Sequence, residues 1–503
     1  MKRAGAIVVG VAIAATTYVE HVSASPLFEL AGGVGGEGGF NGRVVEGGAS
    51  STYYNPALLV EADPGLSLGI FFLSDQIGIS LDGRPSARFS VPQGIENAEH
   101  ADGSRWDNYP MPTTTLQNGV TSSDAQLRAR PRQADGSGQN VRAYQMIGLV
   151  TKLFRDHLAL GLYALVPYSK FTGASAFYSD EREQYFTNSL HPELYSDRLT
   201  STSLAFGGGV KITDELSIGM AFTLSLRTEA VTPTYVVDAG RFKDILVDSN
   251  VKVNASVSPH FGISYKPTPR WRLTATAHSP QKLEITTNFT FLLANGVEQA
   301  AGVSFTHAYV PWQFALGSSY DVVKKGEDTV TVAASGIYGL WSSYIDRHSE
   351  RPIAEYAWYD TLTPALGMRW MHGAVRTFLD FQYQPSPVPA QSGRTNYVDN
   401  NRVGGNVGVD YRFTLFDTTM RIGAQLEVHR LIPRYQQKIA TPTSPDGKNR
   451  TPALVTDEVP DDSVLNGQPL NGREGLQTNN PGWPGFRSSG WILGGGLYLS
   501  VIP

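Results

Sequence analysis

Between residues 420 and 430 apolar and polar side chains alternate strictly. Met420, Ile422, Ala424, Leu426 and Val428 fall on one side of an extended chain, and Arg421, Gly423, Gln425, Glu427 and His429 on the other. Successive side chains of a strand point to opposite faces, so this segment is a strand with one apolar and one polar side. The split recurs from Val403 to Phe413, where Val403, Val407, Val409, Tyr411 and Phe413 oppose Asn406, Asp410 and Arg412. It recurs again from Val375 to Gln384, with Leu379, Phe381 and Tyr383 against Arg376, Asp380 and Gln382. Charges of mixed sign on the polar faces of neighbouring strands allow cross-strand ion pairing.

Extended along the chain, the pattern predicts strands at Leu66–Ser80, Val141–Phe154, Leu158–Phe171, Leu199–Ile212, Leu216–Ala230, Val251–Lys266 and Trp271–Leu292. Further strands are predicted at Ser304–Tyr320, Thr329–Ser343, Ala357–Trp370, Val375–Gln384, Val403–Phe413, Thr419–Leu431 and Gly490–Val501, fourteen in all. Connectors alternate in length: short turns at 155–157, 213–215, 267–270, 371–374 and 414–418, long ones at 82–140, 172–198, 385–402 and 432–489. A soluble sandwich also has one wet face, but would not be expected to keep that rhythm through fourteen strands. Short periplasmic turns and long outer loops are the asymmetry of outer-membrane barrels. The predicted fold is therefore all-β, a transmembrane antiparallel barrel of 14 strands.

The start of the chain adds a compartment. Lys2 and Arg3 precede an apolar run from Ala4 to Ala15, and Val22-Ser23-Ala24 offers small residues for cleavage after Ala24, which reads as a signal peptide. With 41 basic and 46 acidic side chains the formal charge is −5, which gives no electrostatic case for nucleic acid. Cysteine is absent, so an exported chain has no disulfide framework. Mean hydropathy is −0.20 and no later stretch reads as a transmembrane helix, leaving a closed barrel as the way to span a bilayer.

A fourteen-strand cylinder encloses a sizeable lumen unless something fills it. The segment 25–65 precedes the first strand and lies outside the strand rhythm, so it is the expected hatch, followed by the barrel at 66–503. Its stretch from Ala31 to Leu59 is too rich in glycine to be a regular element, because each glycine costs about 0.5–1 kcal/mol inside a helix or strand.

Chemistry-bearing motifs are weak. Gly33 to Gly38 matches a dinucleotide fingerprint in letters only, with no strand before it and no periodic helix after it. The ten histidines show no metal spacing and no GxSxG elbow appears, so neither an enzyme, a metal nor a cofactor is expected. Asn55-Pro56-Ala57, taken alone, reads first as a loop-starting turn. Pro167 removes a ladder donor and implies either a kink in the third strand or a place at that strand's outer rim. Phe242, Ile245 and Leu246 have the spacing of a helical face in an outer loop, and Phe291 and Leu292 open the next connector; together they form a possible outer ligand groove. Asp180 to Leu190, with Tyr185 and Phe186, reads as a helical loop cap.

The run Gly47-Gly48-Ala49 through Tyr54-Asn55-Pro56-Ala57-Leu58, together with Ser386-Pro387-Val388-Pro389-Ala390-Gln391, Asp399, Arg402 and Tyr411-Arg412-Phe413, resembles the FadL/TodX family of outer-membrane fatty acid and hydrocarbon channels. Pro311 to Tyr320 and Trp341-Ser342 are similar to its middle strands. The resemblance implies passive transport of hydrophobic small molecules, with Asn55, Pro56 and Ala57 as the hatch signature and a lateral exit beside a kinked third strand, where Pro167 falls. It also implies a monomer that meets outer-membrane lipid, lipopolysaccharide and the barrel assembly machinery. The chain departs from the family by ending Ser500-Val501-Ile502-Pro503 rather than in an aromatic residue. Two other classes remain open on the residues alone, a diffusion pore for polar solutes and an outer-membrane lipid hydrolase.

Overall fold

The computed structural model describes residues 27–33, 38–45, 47–81, 135–136, 140–154, 156–168, 190–192, 194–195, 199, 202–226, 230–238, 243–253, 256–292, 298–346, 349, 351–352, 354–392, 397–438, 464–465, 468–469 and 485–503. The signal segment 1–24, most of the connectors 82–140 and 439–484, and the helical expectation at 180–189 lie outside them.

Among the described residues, eighteen long strands follow a short helical segment. They are β1 Gly65–Leu81, β2 Asn140–Leu153, β3 Leu158–Pro167, β4 Thr202–Lys211, β5 Leu216–Leu226, β6 Ala230–Asp238, β7 Lys243–Val253, β8 Ser256–Thr268 and β9 Trp271–His278. Then come β10 Gln281–Leu292, β11 Glu298–Val310, β12 Gln313–Lys325, β13 Asp328–Gly339, β14 Thr361–His372, β15 Val375–Gln384, β16 Arg402–Leu415, β17 Thr418–Gln437 and β18 Gly485–Ile502. Fourteen of them pair antiparallel with their neighbours in one sheet. β1 pairs with β18 from Leu66↔Val501 to Leu81↔Phe486 and with β2 from Gly65↔Val150 to Asp75↔Asn140, which closes the sheet into a barrel.

Burial follows the alternation read from the sequence. Along β14, Thr361, Thr363, Ala365, Gly367 and Arg369 are buried in the lumen while Leu362, Pro364, Leu366, Met368 and Trp370 are exposed outside. Ile422, Leu426 and Val428 likewise face out and Arg421, Gln425, Glu427 and His429 face in. An apolar outer face with a polar lumen is the arrangement a bilayer demands. The turn end of the barrel is tight, as at Phe416 and Asp417, both at positive φ.

The remaining four strands form a second sheet in the order β11-β10-β7-β6. In the chain it lies between β5 and β8 and between β9 and β12. This corrects two expectations. Ile245 and Leu246 belong to the extended strand β7, not to a helix, and Phe291 and Leu292 end β10 rather than open a loop. Their backbones are neighbours, Leu246 opposite Leu292 and Val247 opposite Phe291; Phe242 lies outside the described residues. The reason is the placing of β-branched residues: Ile245 and Val247, then Val251 and Val253, stand at alternate positions and favour the pleated chain over a helix. The expected single strands Trp271–Leu292 and Ser304–Tyr320 are each cut in two, at Ser279-Pro280 and at Pro311-Trp312. Proline has no N–H for the ladder, so the wall breaks there. The Ser258 hydroxyl, 2.7 Å from that of Ser279, holds the first break.

Beyond Gly339 the chain leaves the wall. A 3-10 turn at Trp341–Ser343 replaces the strand end expected at 340–343, and residues 357–360, after a second 3-10 turn at Ala354–Tyr356, are irregular where a strand was expected.

Candidate functional site: the hatch and its seat

The described residues between 27 and 62 are buried almost throughout, because they lie inside the lumen. The glycine-dense stretch is not wholly irregular. It winds through helices α1 Leu27–Ala31, α2 Gly42–Val45 and α3 Ser51–Tyr54 and a 3-10 turn at Pro56–Val60. Such short helices would not persist alone in water, so the wall must supply their stability.

Asn55-Pro56-Ala57 is where that support is closest. The Asn55 side-chain oxygen accepts from Ala57 N–H at 3.2 Å, while its amide donates to the carbonyls of Arg43 at 3.0 Å and Ile263 at 3.4 Å. Asn55 thus caps the 3-10 turn, and Pro56 fills the first position, where a missing N–H costs nothing. Opposite this turn three wall glycines stand side by side across three strands: Gly209 of β4 faces Gly219 of β5, which faces Gly262 of β8. A Cβ on Gly209 or Gly219 would strike the Pro56 backbone, and one on Gly262 the Asn55 side chain. The row is a shelf without side chains, and the hatch backbone rests on it. The run Gly207-Gly208-Gly209 inside a strand was the available sequence signal, since interior strand glycines mark close backbone approach.

Charged anchors surround the shelf. Arg43 donates to Glu29 and Gln313, both at 2.6 Å, and to Thr276 at 3.2 Å; Tyr53 also donates to Glu29, at 2.5 Å. Asn41 donates twice to Asp380, whose carboxylate is held by Arg369. At the turn end, Glu61 pairs with Lys266 at 2.6 Å and with Arg272, and Asp63 with Arg412 and Arg421, both at 2.9 Å. Burial alone would raise both carboxyls, but the cations outweigh it and hold Glu61 and Asp63 below their ordinary values.

Toward the loop end the lumen is aromatic. Phe28 stacks on Tyr163 with centroids 5.1 Å apart, and Tyr344 stacks on Trp358 at 3.5 Å, with Trp341, Tyr309 and Tyr397 around them. Between hatch and aromatic layer lies a cavity of about 40 Å³, bordered by Leu30, Leu194, Trp341, Gln382 and Arg402. That is room for a few waters and not for an acyl chain. Below the hatch, two wider cavities of about 330 and 200 Å³ open at the turn end.

The other expected site residues are scattered. Pro167 is the last residue of β3, opposite Tyr144, and the β2–β3 ladder runs unbroken up to it. Pro167 thus ends the strand within the described residues. β4 pairs with β3 only as far as Leu165↔Ser203. Near the segment 386–402, Arg434 donates to Ser386, Val388 and Asp399, and Asn400 donates to Ile432 and Ser488, so that this loop folds onto β17 and β18.

No protein-family model matches the chain, and no curated protein matches it in sequence. Solved structures do. A FadL homologue from Pseudomonas aeruginosa aligns over 96% of this chain and 99% of its own at 15% identity, with a TM-score of 0.55. The toluene transporter TodX of P. putida aligns over the same shares at 12% identity and a TM-score of 0.45. The barrel of fourteen strands closed around its own N-terminal segment is, in fold, of the FadL type.

Proposed function

We propose that this chain is a passive channel of the bacterial outer membrane for hydrophobic molecules, with long-chain fatty acids as cargo and aromatic or alkane hydrocarbons as the alternative. The observation that carries this reading is the hatch: a wide barrel is blocked by a segment seated in its lumen, beneath a layer of aromatic side chains. An open pore for polar solutes has no use for such a block. Cargo is captured at the loop end, where the sequence placed Phe242, Ile245, Leu246, Phe291 and Leu292, and passes to the aromatic layer. Burial of apolar surface supplies about 25 cal/mol per Å², which suits an acyl chain. Because the cavity of about 40 Å³ cannot hold such a chain, the hatch must shift before cargo moves on. In this reading cargo leaves into the bilayer at the outer end of β3, beside Pro167. No bond is made or broken.

The test is uptake of labelled oleate by cells lacking their own carrier, comparing the wild type with a variant in which Pro56 and Ala57 are replaced. Uptake that depends on these residues supports transport through the hatch. Protein present in the outer membrane without oleate entry overturns the acyl-chain assignment and leaves toluene-sized hydrocarbons to be tried.

A further inference from the structure

One side of the lumen carries a file of polar side chains from end to end. Reading up the inward face of β17 and its partner β16, Arg421 stands opposite Arg412, Gly423 opposite Asp410, Gln425 opposite Gly408, Glu427 opposite Asn406 and His429 opposite Gly404, with Arg402 at the top. The lower end, Arg412 and Arg421, borders the cavity of about 200 Å³ at the turn end. The upper end, Arg402, borders the cavity of about 40 Å³ above the hatch. At the Gly423 level the gap is taken by Tyr498, whose hydroxyl donates to Asp410 at 3.1 Å. A file of polar side chains therefore runs past the hatch from one cavity to the other.

These groups are buried and under-bonded. Gln425 is 3% exposed, Glu427 and Asn406 1%, Arg402 6%. Both amide atoms of Gln425, Oε1 of Glu427, Oδ1 of Asn406 and Nη1 of Arg402 have no protein partner within hydrogen-bond distance. The neighbours that do reach them are few: Asn406 donates to Glu427 at 3.3 Å, and Arg402 to Gln384 at 2.8 Å. Leaving so many buried polar atoms unmet would cost about as much as a whole domain's stability, so something polar must meet them. Successive inward positions on a strand lie about 7 Å apart, a gap that one water bridges with a hydrogen bond to each side.

The geometry points to a water-filled seam along β16 and β17, a route by which water crosses the barrel while the hatch stays shut to apolar cargo. Its ligand is water itself, ordered by Gln425, Glu427, Asn406 and Arg402. The seam does not depend on which cargo the channel carries. It also gives displaced water a way out when cargo enters the lumen.

The experiment is osmotic water permeability of proteoliposomes holding the full barrel with its hatch, followed by stopped-flow light scattering without cargo. Wild-type vesicles are expected to shrink several-fold faster than protein-free ones. Gln425→Met, which keeps the volume and removes both amide atoms, is expected to remove at least about half of that excess, and Glu427→Gln to remove little of it. Leu426→Met, on the lipid face of the same strand, serves as the control. Wild-type vesicles no faster than protein-free ones overturn the seam, as does a Gln425→Met barrel with unchanged permeability. Should Gln425→Met fail to fold, radiolytic hydroxyl labelling of the wild type decides: Phe378, whose ring lies over Gly408 opposite Gln425, oxidised faster than the buried Phe71 supports the seam, and equal rates overturn it. Oleate uptake, read separately, does not enter either outcome.

Discussion

Asn41 of the hatch and Asp380 of the wall are 339 positions apart in the chain and share two hydrogen bonds, backbone N–H to Oδ2 at 3.2 Å and side-chain amide to Oδ1 at 2.9 Å. The same carboxylate holds Arg369 of the next strand, which in turn donates to Gly38 of the hatch. One fully buried acid thus ties two wall strands and the hatch together.

Removing that acid takes from the buried Arg369 the carboxylate that balances its charge. Asp380→Ala is expected to cost about 3–5 kcal/mol, the usual range when one partner of a buried pair is lost. Asn41→Ala keeps the backbone bond but removes the side-chain bond to that charged group and the one its Oδ1 accepts from Ser335, and is expected to cost about 1–3 kcal/mol. Urea unfolding of the refolded barrel, followed by tryptophan fluorescence, measures both, and the order Asp380→Ala above Asn41→Ala is the checkable outcome.

The glycine shelf makes a different prediction. Gly219→Ala places a methyl group against the Pro56 backbone, with no flexible atom to give way. The barrel should still form, because its ladder is untouched, but residues 51–60 should lift from the wall. Hydrogen exchange of the hatch amides is expected to rise at least about tenfold over wild type, while that of β14 and β15 stays unchanged. Equal exchange would show that the shelf does not hold the hatch.

Two sets of acids titrate with opposite sign. Glu61 and Asp63 have folded values below their ordinary 4.5 and 3.8, so their stabilisation is complete above those values and is lost as pH falls through the lowered ones. Hatch exchange should therefore rise only below about pH 4. Asp399, in the loop before β16, is raised by burial to about 7 despite Arg402. It binds its proton more tightly folded than unfolded, so stability is full below its ordinary 3.8 and falls as pH rises toward about 7. Asp399→Asn should flatten that upper slope and leave the acid limb unchanged, as read by melting temperature against pH.

Trp341 closes the upper cavity beside Gly339, and its ring is 7% exposed. Trp341→Ala is expected to cost about 3–5 kcal/mol and to leave a cavity in place of the indole. A thermal melt checks the cost. Faster oleate uptake with the hatch unaltered would show that the aromatic layer, and not the hatch alone, limits entry.

The sequence by itself determined the barrel. Strict alternation at 361–370, 375–384 and 420–430 leaves one consistent arrangement, apolar side to lipid, because a one-residue slip would bury Arg421 and Glu427 in hydrocarbon. The strand count and the N-terminal position of the hatch follow from the same period. Local misreadings came where two periods compete over a short span, as at Ile245 and Leu246, or where a proline inside a long apolar run was read through, as at Pro280 and Pro311. What only the tertiary structure decided is which distant residues meet. Gly209, Gly219 and Gly262 carry no side-chain pattern and become a shelf only when barrel closure lays their strands in register. Asp380 finds Asn41, and Asp63 finds Arg421, for the same reason: contacts between a plug and its wall join residues hundreds of positions apart, and no local periodicity encodes them.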